Sequence, residues 1–95
     1  MEFEYDLLKS EANRLKHGIS FEEAKGMWDV PGMIIQIEFP AEKRFARVVL
    51  WGNKFYTSVV TLRGDAIRII SVRRSREEEQ KIYEEKFKNE KKQFR

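Results

Sequence analysis

The sequence predicts an α+β domain: an N-terminal helical hairpin packed on a four-stranded antiparallel sheet, closed by a C-terminal helix. Three observations carry this. Apolar residues recur at three- and four-residue spacing up to Trp28, the period falls to two from Met33 to Val72, and helical composition then returns. Turn signals at Gly52-Asn53 and Arg63-Gly64-Asp65 leave connections so short that neighbouring strands must pair antiparallel, as a meander. With 95 residues, 41% of them hydrophobic, the chain has material for one core, so residues 1–95 are read as a single domain.

The stretch FEYD (3–6) alternates and reads as a short strand or an extended lead-in, which would make a fifth strand. Asp6 is placed to cap a first helix whose apolar face is Leu8, Ala12 and Leu15, and Gly18 suits the left-handed position just past its end. Ser20 with Glu23 three residues on is the capping-box pattern, and Phe21, Ala24 and Trp28 are the stripe of a second helix that Pro31 ends. KHGIS (16–20) is therefore the corner of a helical hairpin. Strands follow at MIIQIEF (33–39, stopped by Pro40), KRFARVVLW (43–51), KFYTSVVTL (54–62) and AIRIISV (66–72). Several are apolar at consecutive positions, so both faces of the sheet need at least partial cover. The last helix spans 75–94, with only Ile82, Tyr83, Phe87 and Phe94 as apolar marks. Its first half is expected to dock on the sheet, and Glu77–Lys81 and Glu84–Lys88 support it as pairs four residues apart.

Charge is placed unevenly. Residues 1–72 carry ten basic and ten acidic side chains, whereas 73–95 carry nine basic and six acidic, so the whole excess of +3 lies in the last quarter. A basic end on a neutral body suits a polyanionic or acidic partner. There is no cysteine, which excludes a disulfide scaffold and any thiolate metal site. No apolar run is long enough to span a membrane and MEFEYD does not resemble a signal peptide, so a cytoplasmic protein is expected, without a membrane partner. The five glycines are scattered in turns and form no phosphate loop, and a single histidine without cysteines points away from a metal site, so no metal or other cofactor is expected.

What is left is a set of cations on strands. Arg44 and Arg47 lie on the second strand of the meander, Lys54 on the third and Arg68 on the fourth, with Arg73 and Arg74 where that strand hands over to the last helix. Arginine on a rigid strand can fork onto a phosphate bidentately. The lone histidine, His17, follows Lys16 at the hairpin corner. Both would be favoured there as cations at a helix C-terminus, by roughly 0.3–1 kcal/mol each. His17 is also the one side chain with a reference pKa, about 6.5, suited to proton transfer near neutrality.

Two stretches carry a resemblance. FEYDLLKSEANRLKHGISFEEA, with its aromatic-Asp start, Lys9, Asn13 and the Lys16-His17-Gly18 corner, resembles the opening of the BrnT toxins. RGDAIRIISVRRSREEEQKIYE resembles their ending, through Arg68-Ile69-Ile70-Ser71, Arg73, Glu79 and Tyr83, and the KRF around Arg44 is similar to their second strand. The family often has alanine where Val72 and Ser75 stand. The resemblance implies a RelE-like fold and the toxin of a type II toxin–antitoxin pair: a metal-independent ribonuclease that inhibits translation and growth. Its partners would be an RNA substrate and a small, DNA-binding, BrnA-like antitoxin through which alone it reaches operator DNA. It further implies Arg44 and Arg73 as phosphate clamps, His17 as acid or base, and Lys16, Arg68, Arg74 and Tyr83 as substrate-binding residues. Two other functions fit the same residues: a non-enzymatic toxin or nucleic-acid binder, and a module that only docks an antitoxin.

Overall fold

The computed structural model describes residues 2–38, 40 and 42–93. Phe39, expected to close the first strand of the meander, and Phe94, expected to anchor the last helix, lie outside them. The chain runs β1 (Glu2–Glu4), α1 (Leu7–His17), α2 (Phe21–Lys25), a 3₁₀ turn (Gly26–Asp29), β2 (Gly32–Ile37), β3 (Arg44–Trp51), β4 (Lys54–Arg63), β5 (Ala66–Arg74) and α3 (Glu77–Gln93). The five strands form one sheet in the order β1-β5-β4-β3-β2.

The meander β2 to β5 is antiparallel throughout, as short turns require. The expectation of a purely antiparallel sheet is corrected at one edge: of the FEYD lead-in, Phe3 and Glu4 lie in β1, which pairs parallel with β5, Phe3 opposite Ile67, while Asp6 caps α1. The intervening helices and meander bring the chain back in the same direction, a reversal that no tight turn could make. The sheet is mixed, with five strands and three helices.

The hairpin covers one face. Ile19, Phe21, Ala24 and Met27 from the helices meet Val49, Val60, Ile67, Ile69 and Val72 from the strands in one buried cluster. Helix α3 lies on the other face, across β2 and β3, so the sheet is covered on both sides but only partly on the second. Local signals act as expected in α2, where Ser20 and Glu23 form a reciprocal capping box. Asp6 accepts from the amides of Leu8 (2.8 Å) and Lys9 (3.0 Å), and the Lys9 amide foremost holds its carboxyl below the ordinary range. Gly18, at φ 78°, ends α1 in the left-handed region.

Helix α1 itself is turned over relative to the expected stripe. Leu8 and Leu15 are 83% and 73% exposed, and the buried residues are Ser10 and Asn13. The reason is what α1 packs against. β1 pairs with β5 only as far as Arg68, so beyond that point the backbone edge of β5 is open. The Asn13 amide closes it, donating to Val72 O (2.9 Å) and accepting from Val72 N (3.3 Å), while it also donates to Ile19 O (2.7 Å). Ser10 Oγ accepts from the Phe21 amide at 2.9 Å. A polar helix face is needed because backbone groups, not side chains, are what it must satisfy.

Asn13→Leu removes three buried hydrogen bonds and leaves main-chain groups unpaired, so it should cost roughly 1.5–4.5 kcal/mol in urea unfolding, at about 0.5–1.5 each. Leu8→Ala, on the outward face, should change stability by less than about 0.5 kcal/mol. Equal effects would mean that the leucines, not the asparagine, anchor α1.

Candidate functional site

Side chains alternate across a strand, so register decides which cations meet. On the α3 side of the sheet Arg44 (β3), Thr61 (β4) and Arg68 (β5) are directly opposite one another, in one row. The next row is Ala46, Val59 and Ser71, and the next Val48, Thr57 and Arg73. Arg44 and Arg68 are two strands apart, about 10 Å, and Arg73 lies about 14 Å further along the strands. The side chains of these three arginines are 27%, 29% and 22% exposed, so each is packed along its stem yet reachable from solvent.

Arg68 and Arg73 are five residues apart, and a regular strand would aim them to opposite faces. A β-bulge brings them together. Val59 pairs with Ser71 but Val60 with Ile69, which leaves Ile70 as an extra residue on β5 and reverses the alternation after it. Arg47 and Lys54, grouped with these cations by sequence, do not join them: Arg47 is three residues from Arg44 and is buried on the hairpin side. Arg74 also faces that side, its guanidinium 5.7 Å from the Tyr56 ring.

Each arginine of the face has a carboxylate neighbour. Arg44 Nε is 3.2 Å from Glu42, and Arg68 is 3.4 Å from Glu4. Arg73 forks onto Glu79 with bonds of 2.8 and 3.0 Å. Glu79 is itself held by the Arg76 amide (2.7 Å) and the Thr57 hydroxyl (3.1 Å). Burial pushes the Glu79 carboxyl upward, but Arg73 and these donors outweigh it and set it below the ordinary range. The same pair raises the Arg73 guanidinium. Arg73 is thus the preorganised cation of the face, forked onto its carboxylate, whereas the carboxylate contacts of Arg44 and Arg68 are longer.

The hairpin corner borders this face. A groove of about 250 Å³ between α1 and β5 is lined by Lys9, Lys16 and His17 on one side and Ile70 and Ser71 on the other. Ser71 belongs to the row between Arg68 and Arg73, so the corner and the arginines share a boundary. Tyr83 stands at the far end of the face, on α3, packed edge-on to Phe55 (5.3 Å) and beside Phe87 (4.4 Å). The contribution of Lys9, Ser71 and Thr61 escaped the sequence because it depends on register and on the bulge. Among the described residues no three carboxylate or imidazole side chains gather in a way that could hold a metal ion, and no described helix is long and apolar enough to cross a membrane.

The Arg73–Glu79 pair has a pH signature. Because the folded pKa of Glu79 is depressed, its stabilisation is complete above the unfolded value of about 4.3 and is lost as pH falls through the folded value. Glu79→Gln should therefore be less stable than the parent at pH 7, with the gap in melting temperature closing below about pH 4. A gap that stays constant with pH would assign the loss to packing.

No curated protein matches the chain. Residues 5–79, which include the corner, Arg44, Arg68, Arg73 and Glu79 but not Tyr83, match the family described as "Ribonuclease toxin, BrnT, of type II toxin-antitoxin system". The chain belongs to the BrnT family of ribonuclease toxins, the toxin half of type II toxin–antitoxin systems.

Proposed function

We propose that this chain is a metal-independent endoribonuclease that inhibits translation and growth by cutting RNA across the arginine face. The observation that carries the reading is the convergence of Arg44, Arg68 and Arg73 on one sheet face beside the Lys16-His17 corner. The ribose 2′-oxygen gives up its proton and attacks the adjacent phosphorus, while the bond to the 5′-oxygen breaks and that oxygen takes up a proton. The products are a 2′,3′-cyclic phosphate and a 5′-hydroxyl. Arg73 stabilises the added charge on the phosphoryl oxygens, while Arg44, on the row about 14 Å away, holds a flanking phosphate with Arg68 and Lys16. His17 moves the proton at one end of the reaction. Tyr83 offers a ring edge at the end of the face for a base. Arg74 faces away and has no part in this arrangement. The cations supply the charge stabilisation that a metal ion otherwise provides. The partner is a small, DNA-binding, BrnA-like antitoxin, through which alone the toxin reaches operator DNA.

Purified protein incubated with RNA in excess EDTA should cleave it and leave cyclic-phosphate ends. Loss of cleavage on chelation, or products with 5′-phosphates, would overturn the mechanism. Arg44→Ala should slow cleavage about 10–10²-fold, as loss of a charge-assisted phosphate contact of about 1.5–3 kcal/mol does, with little change in melting temperature. His17→Gln should likewise lower cleavage at unchanged stability, and full activity in that variant would leave His17 as a helix cap only.

A further inference from the structure

The groove of about 250 Å³ between α1 and β5 carries positive charge without compensation. Lys9, Lys16 and His17 line one wall, Ser71 offers a hydroxyl on the other, and among the described residues no acidic side chain lines it. No carboxylate pairs with Lys9, Lys16 or His17 among the described residues either. The two lysines are exposed and seven residues apart, which sets them on one side of α1 with about 10 Å between them. The floor beneath them is fixed: Asn13 is held by its hydrogen bonds to Ile19 and Val72, and Phe21 is buried. The grooves beside α3 are different, although the sequence has its excess of cations there. Glu85 stands among Lys81 and Lys86 in one, and Glu84 beside Lys88 in the other.

The groove meets the arginine face at two points. Ser71, on its β5 wall, stands in the row between Arg68 and Arg73, about 7 Å along the strand from Arg73. Asp6, whose carboxyl is lowered foremost by the Lys9 amide, also feels the charges of Lys9 and Arg68, so these two cations flank one capping carboxylate. Spaced cations along a narrow groove suit a phosphodiester backbone, and a groove set by one helix against one strand edge admits a single strand and not an A-form duplex. We propose that this groove carries single-stranded RNA away from the scissile phosphate, with Lys9 as a further substrate-binding residue. Lys9 and Lys16 hold phosphodiesters that flank the one at Arg73, and Ser71 donates to the strand as it enters. These contacts are to the backbone, so they fix the path of the strand and not its base sequence. The proposal rests on the ribonuclease reading for the place of the scissile phosphate.

The test uses the full chain and a fluorescent 2′-O-methyl RNA oligonucleotide of mixed sequence. Its capped 2′-oxygen cannot attack, so binding is read by anisotropy without cleavage. Each phosphate neutralised on a single strand contributes about −0.7 to the slope of log affinity against log salt. Lys9→Ala should therefore make that slope shallower by about 0.7 and weaken binding about fivefold at 0.1 M salt, at unchanged melting temperature. Lys9→Arg should keep both the slope and the affinity. Lys81→Ala, in a groove that contains a glutamate, should leave the slope as it is. An unchanged slope in Lys9→Ala, an equal change in Lys81→Ala, or tighter binding of the same sequence as a duplex would each overturn the proposal. So would an equal loss of affinity for poly-glutamate, which would give the groove to an acidic protein partner. A chain that binds the probe with the expected slopes yet leaves unmodified RNA uncut would refute the ribonuclease reading and uphold the groove.

Discussion

The placement of the Asn13 side chain determines most of what lies around it. β5 is nine residues long, but β1 covers only its first part. Past Arg68 a main-chain donor and acceptor at Val72 would face the open edge, and a buried unpaired backbone group costs as much as a lost hydrogen bond. Asn13 presents both an acceptor and donors, so one side chain acts as the missing strand residue and still reaches Ile19 O beyond the corner. Helix α1 is thereby pinned along the sheet edge, and Lys16 and His17 face Ile70 and Ser71 across the groove. Had α1 been held by its leucines instead, rotated about its axis, the lysine–histidine corner would point elsewhere.

This is also where the sequence was hardest to read. Apolar spacing identified α1 correctly as a helix and placed its ends, because the Asp6 cap and Gly18 are local signals. The same spacing chose the wrong face, since Leu8 and Leu15 fall at core-like intervals and nothing local says that this helix packs on backbone. In α2, where the partner surface is apolar, Phe21 and Ala24 went inward as read. The meander was legible for the same reason: alternation and turns are short-range properties. The parallel pairing of β1 was not, because it joins residues more than sixty positions apart.

The arginine face shows a mixed case. The residues Arg44, Arg68 and Arg73 were legible through residue type and family resemblance, whereas their meeting on one face depends on a single extra residue, Ile70, in β5. Strict alternation from Arg68 would have sent Arg73 to the hairpin side with Arg74's present neighbours. Conversely Arg47 looked like a member of the cluster in sequence, and its three-residue offset from Arg44 puts it on the opposite face.

The sheet thus separates two solutions to the same problem, an arginine with much of its surface removed from water. Arg73 has its counter-ion built in, and Glu79 fixes its geometry before any ligand arrives. Arg47 meets the carbonyl oxygens of Met27 and Val30 and the Trp28 ring, and among the described residues no carboxylate pairs with it. A preorganised, already paired cation suits transient charge, because a phosphoryl group that gains charge in the transition state can compete with Glu79 while a ground-state phosphate does so less well. The two faces meet at β2, the outer strand beyond β3, whose far edge is unpaired among the described residues.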